Sequence, residues 1–385
     1  MVESLPLLTL IFFLVGLWVS LRVLRKPAAI LVSAIKVFIP FIYFEFFSKQ
    51  QWTFLDDVTY FEFGKSLVGW GYNPISVLFE PDAIANLMML SGGRHILYGW
   101  YNFVAQWAFG EYYYAPVFLN IGLTFFSGLL LYRIAIANNF SRSYSRGIFI
   151  FFLLHWELLA WTSVVNLKEA LVIFLTIASV YAGMKFIETR RHRYAVYLVA
   201  LVFIFYWVRF YIPLLLLTSF LINLIFFTKG YRRLWLSLAA LCVSAAYGFY
   251  VGWDQIMGEA GHLVLGGGIA DGAFKVAVTP RPWSIDPAYS FLLIPSLLHW
   301  FFFVPSIIGC VLLWRRAPQL RLLLIYLVVA LCLYGSFEDL QGPRQRLQLV
   351  FIYGWAQFHF LWQVFRSRHS FNVNSSGRRK AESQR

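Results

Sequence analysis

The chain is 385 residues long, 60% apolar and 20% aromatic, with only 13% of its residues charged. A soluble domain carries about a quarter, so an ordinary water-facing surface is excluded and lipid tails must solvate the outside. The charges sum to +14. That sign would suit a nucleic-acid partner, but the short loops between apolar runs hold these charges, and no nucleic acid is needed to explain them.

Continuous apolar runs such as 198–205 exclude a membrane barrel, whose strands alternate polar and apolar residues. Helices are the other way to satisfy a backbone in hydrocarbon. The sequence therefore predicts an all-α fold. A polytopic transmembrane bundle covers 1–366, with juxtamembrane helices in its extracytoplasmic loops. The basic tail 367–385, rich in Ser, Arg and Asn, is predicted to be cytoplasmic and disordered.

The first run, 5–21, lacks the basic approach and small-residue cleavage site of a signal peptide, and reads as a retained helix. A second, 29–47, follows the basic loop of Arg22, Arg25 and Lys26. Residues 48–112 make a long loop. Within it, 95–110 is apolar but interrupted by Gln106 and Gly110, which suits either a further span or a helix lying in the interface. Runs at 113–135, 148–165, 170–187, 194–208, 211–227 and 234–252 come next. A second long loop, 253–290, precedes the runs 291–313, 321–336 and 347–365. Several of these are shorter than the roughly 20 residues that cross a typical core. Basic clusters at 133–146, 185–193, 229–233, 315–321 and 366–385 fall on one side if 95–110 does not cross. Cytoplasmic loops hold such an excess. The expectation is about 11 crossings (roughly 10–13) of the plasma (inner) membrane, with the C-terminus cytoplasmic.

Cys242, Cys310 and Cys332 stand singly in apolar runs, with neither zinc spacing nor a disulfide framework. The remaining polar residues collect on the other face, and ionisable groups at membrane depth are functional candidates by default. Asp56 and Asp57 sit among aromatics in the first long loop, with Tyr60 following. They read equally as a proton acceptor beside a substrate-holding group, or as the acidic first turn of a helix. Lys168 and Glu169, in Asn166-Leu167-Lys168-Glu169, interrupt two apolar runs that leave almost no loop. This is a cation aimed at a phosphate or a Lys–Glu pair with a snorkelling lysine. His155 and Glu157 lie deeper in the preceding run, where they either line the same cavity or, the favoured reading, make a buried hydrogen bond.

Arg209 breaks a long apolar stretch at an outer turn, and Arg344 and Arg346 follow Gly342-Pro343 on the same side. Guanidinium groups suit bidentate recognition of phosphate or carboxylate. The loop 253–290, with Gly266-Gly267-Gly268 and Pro280-Arg281-Pro282-Trp283, lacks the lysine of a phosphate-binding loop and reads as a lid or lateral gate. No internal repeat and no nucleotide-sugar domain is visible.

With an Asp-Asp pair in an early loop and Tyr60 after it, the chain resembles the GT-C superfamily of membrane glycosyltransferases, of the protein mannosyltransferase and aminoarabinose transferase type. The resemblance implies inverting transfer of a sugar from a polyprenyl-phosphate or diphosphate donor to a glycan, lipid or protein acceptor. It implies Asp56 and Asp57 as catalytic groups. Tyr60, Lys168, Glu169, Arg209, Arg344 and Arg346 would then be substrate-binding. The family usually has one span before the acidic loop, and two are counted here. Asn-Leu-Lys-Glu and Gly-Pro-Arg-Gln-Arg also resemble membrane polymerases of O-antigen or exopolysaccharide repeat units. A lipid-linked saccharide flippase or transporter is the alternative from another class. No cofactor is evident, and a divalent metal at the Asp pair lacks a third ligand.

Overall fold

The computed structural model describes residues 4–47, 56–91, 95–227, 231–252 and 268–382, and among these there is no strand. The aromatic approach to the Asp pair, 51–55, and the lid glycines Gly266 and Gly267 lie outside the described residues.

Helix α1 (Ser4–Leu21) turns back on α2 (Lys26–Ile42), which opens behind an extended Arg25 with Pro27 in its first turn, where a missing N–H costs nothing. Then come α3 (Asp56–Gly69), α4 (Pro81–Leu90) and α5 (Ile96–Phe109). These three close a small core of their own around Leu67, Val77, Ala83, Leu87 and Phe103. With 14 residues, α5 is about 21 Å long. That falls short of a core of roughly 30 Å, so α5 is not long enough to cross alone.

The bundle continues with α6 (Tyr114–Ala137), α7 (Arg142–Leu153), α8 (Trp156–Val164), α9 (Glu169–Thr189), α10 (His192–Arg209), α11 (Tyr211–Phe227) and α12 (Tyr231–Val251). After the second long loop follow α13 (Ile269–Val278), α14 (Leu293–Phe301), α15 (Phe303–Arg316), α16 (Arg321–Ser336), the short α17 (Pro343–Leu347) and α18 (Val350–Glu382). The last continues as helix beyond residue 366, across the boundary drawn for a disordered tail.

All the predicted runs are helical, yet they do not add up to eleven continuous spans. Among the described residues five helices are long and apolar enough to cross alone, and the number reaches seven if each of two bent pairs is one span. The run 148–165 breaks where His155 turns extended, bending α8 by 44° from α7. The run 291–313 breaks at Phe302 with a 54° bend between α14 and α15. Pro305 follows, and its ring nitrogen has no hydrogen to give the Phe301 carbonyl. The two breaks meet, with Trp156 stacked on Phe302 at 5.2 Å.

Large apolar side chains line the outside, among them Leu14, Leu31, Phe226, Phe249 and Phe301. Lipid tails solvate such a surface and water does not. The two ends of the bundle differ in charge. At one, Arg146 donates to the Val23 carbonyl, Arg316 lies over Phe140 and Arg321 over Phe227, which gathers three of the basic loops. The other end holds Asp56, Lys168, Arg209 and Arg344.

Candidate functional site

Asp56 and Asp57 are the first two residues of α3, where carboxylates meet the free amides and positive pole of a helix start. They then part company. The Asp56 side chain is 47% exposed, whereas Asp57 is wholly buried and accepts a 2.6 Å hydrogen bond from the Tyr113 hydroxyl. Residues adjacent on a helix point about 100° apart, so the two acids do different jobs.

Asp57 rests on a lattice of uncharged groups. Asn166 donates through Nδ2 to the Asp57 carbonyl and to Asn102 Oδ1, and accepts at Oδ1 from the Tyr98 hydroxyl. Asn120 donates to Tyr98 and to the Leu167 carbonyl. Gln106 Nε2 donates to the Phe61 carbonyl. Together these bonds fix α3 against α5, α6 and the turn between α8 and α9. Burial pushes the Tyr113 phenol up, and the neighbouring Asp57 carboxylate adds to the shift.

The ionic layer stands beside that lattice. Lys168, just ahead of α9, donates to the Tyr60 hydroxyl at 2.8 Å. Burial pulls its ammonium well below the usual lysine range, Arg209 and Arg344 push the same way, and Glu169 opposes them. Burial likewise drives the Tyr60 phenol up, and so do Asp56 and Glu169. Glu169 Oε1 takes Arg209 Nη2 at 3.0 Å and lies 3.5 Å from Arg344 Nε. Arg209 also donates to the Tyr211 hydroxyl. Arg344 Nη1 completes the layer with a 3.0 Å bond to Asp56 Oδ2. Burial works against the charge on Arg344, but Glu169 and Asp56 outweigh it and hold the guanidinium above its ordinary range.

Seven of the eight sequence candidates therefore share one neighbourhood, and Arg346 does not. It points into the bundle, where Nη2 meets Glu157 Oε2 at 3.0 Å. The other Glu157 oxygen faces His299 Nδ1 at 3.0 Å, and His299 Nε2 faces the Ala277 carbonyl. His155 Nε2 pairs with Gln357 nearby. This second network occupies the junction of the two broken helices, and for His155 and Glu157 it supplies buried hydrogen bonds of the kind expected.

Sequence reasoning passed over several of these groups. Tyr113, Tyr98, Asn102 and Asn120 are neutral and carry no charge signal. Lys36, wholly buried and donating to Thr162 Oγ1 at 2.8 Å, was legible as a lysine at the eighth position of the apolar run 29–47. Among the described residues no group of three His, Cys, Asp or Glu side chains gathers to hold a metal ion. The second long loop is partly described. There Trp283 packs on Trp300, and Trp300 Nε1 donates to the Val278 carbonyl, which docks 278–283 on α14.

No protein-family model, curated protein or solved structure matches the chain.

Proposed function

We propose that the chain is a membrane glycosyltransferase of the GT-C kind. It moves a sugar from a polyprenyl-phosphate or diphosphate donor to a glycan, lipid or protein acceptor on the extracytoplasmic face of the plasma (inner) membrane. The observation that carries this reading is the Asp56–Arg344 pair, a carboxylate within reach of solvent bonded to a cation at the end away from the basic loops. Arg209 and Lys168 stand behind it. About eleven crossings with a cytoplasmic C-terminus belong to the same proposal, because positive-inside orientation turns this end outward.

In an inverting transfer the acceptor oxygen bonds to the anomeric carbon as that carbon's bond to the donor phosphate oxygen breaks. The bonding pair leaves on the phosphate, and the acceptor proton goes to a base. Asp56 is that base. Arg344, with Arg209 and Lys168, offsets the charge on the leaving phosphate. Glu169 holds the two arginines, Tyr60 holds Lys168, and Asp57 anchors the helix that carries Asp56. Arg346 takes no part.

The test is glycan analysis of cells carrying Asp56→Asn or Arg344→Gln at wild-type membrane levels. Loss of one sugar from a surface glycan, with the lipid-linked sugar accumulating, supports transfer and identifies the donor. Intact glycans in both variants overturn it. A repeat-unit polymerase shares this chemistry and differs in acceptor. Single unpolymerised units would mark it in the same experiment.

A second reading, a lipid-linked saccharide flippase or transporter, is favoured by one observation: two broken helices meet at the buried Glu157–His299–Arg346 network. Discontinuous helices frame midplane sites in many transporters. This reading predicts that Glu157→Gln stops movement of the lipid-linked sugar across proteoliposomes, and that the purified protein forms no glycosidic bond.

A further inference from the structure

The arginines of the ionic layer are engaged by carboxylates. Arg209 is held by Glu169 and Tyr211, with only 7% of its side chain exposed. Arg344 is the more open of the two, and its Nη1 is taken by Asp56. Asp56 Oδ2 thus gives Arg344 a lone pair that a base would offer to an acceptor hydroxyl. Phosphate fits a guanidinium edge as well as carboxylate does, and on Arg344 the Nη1 donor is held by Asp56 while Nε lies toward Glu169. Asp56 is half in solvent and can swing away at small cost, while Glu169 is buried and cannot. The labile partner of Arg344 is therefore Asp56.

We propose that Asp56 and the donor phosphate compete for Arg344, so that seating the donor releases the carboxylate and imposes an order in which the donor binds before the acceptor. This rests on the glycosyl-transfer reading and adds to it. The phosphate ester takes Nη1, Glu169 keeps the Nε side of the guanidinium, and Asp56 turns to the acceptor hydroxyl. When the new oxygen–carbon bond forms and the carbon–phosphate oxygen bond breaks, the hydroxyl proton passes to the freed Asp56 oxygen. The lipid phosphate leaves with the electron pair and gives Arg344 back.

The experiment is titration of the purified protein in nanodiscs with geranyl phosphate, and with inorganic phosphate in a parallel series. Variants are Asp56→Asn, Arg344→Gln, the two combined, Arg209→Gln and, as a charge control, Glu62→Gln, an exposed acid on the same helix. Competition predicts that Asp56→Asn binds geranyl phosphate about five- to tenfold more tightly than wild type. Glu62→Gln should change binding less than twofold, and Arg344→Gln should weaken it at least tenfold with either residue at 56. A matching gain for inorganic phosphate identifies the headgroup as the whole ligand; a gain for the ester alone adds the chain to what is recognised. If Asp56→Asn binds no better than wild type, or Glu62→Gln gains as much, competition is wrong while the phosphate site stands. If neither arginine variant weakens binding, the phosphate site itself is wrong and the glycosyl-transfer reading falls with it.

Discussion

Lys168 Nζ donates to the Tyr60 hydroxyl at 2.8 Å, and both side chains are closed off from solvent. Burial makes an ammonium there expensive, so the lysine is kept at a cost to the fold. Lys168→Met fills similar space without the charge. Its melting temperature in detergent should equal or exceed that of the wild type, while sugar transfer should fall on the order of a hundredfold or more. A variant that loses stability and activity together would show Lys168 to be structural.

Asp57 and Tyr113 should behave in the opposite way. Removing the phenol in Tyr113→Phe leaves a buried carboxylate short of a donor, a loss of roughly 1–3 kcal/mol. Asp56→Asn changes a half-exposed group and should stay within about 0.5 kcal/mol of wild type. Denaturation of the two variants in the same detergent separates the anchoring acid from the one proposed to react.

The Glu157–Arg346 pair is fully buried, and breaking one side strands the other. Arg346→Gln should cost about 3–5 kcal/mol and lower the yield of folded protein from membranes. Adding Glu157→Gln should recover part of that loss, because no unpaired charge remains. A double variant no more stable than Arg346→Gln alone would contradict this account.

His95 sets a pH dependence. Its Nδ1 faces the Val208 carbonyl at 2.7 Å. Burial, with Lys168 and Arg209 nearby, lowers its pKa to about 3, against the pull of the Val208 hydrogen bond and Asp56. The unfolded chain therefore binds a proton below about pH 6.5 that the folded chain refuses. Stability should fall as pH drops from 6.5 towards 3, at up to roughly 1.4 kcal/mol per unit. His95→Asn tolerates the positive φ of this position, and should flatten the melting temperature over that window. Equal slopes in variant and wild type would remove His95 as the cause.

The helical segments were legible because long apolar runs leave the backbone no other choice. Most of the charges at the Asp56 end were legible too, since cations on the side away from the basic loops need a reason to be there. Arg344 and Arg346 show where such reading fails. Two residues apart on a helical turn, they point about 200° apart, so one joins Asp56 and the other goes inward to Glu157. The break at Phe302 had a signal in Pro305. The break at His155 had none beyond two polar residues in an apolar run, because what holds it is Gln357, some two hundred positions away.

The uncharged lattice under Asp57 and the ionic layer around Arg344 respond to different agents. Amide and phenol hydrogen bonds are nearly blind to ionic strength, whereas a half-exposed ion pair is screened within about 10 Å at 0.1 M salt. Raising the salt should therefore loosen Asp56 from Arg344 and leave Asp57, Asn166 and the start of α3 where they are. The exposed acid can be freed without disturbing the buried acid that holds its helix in place.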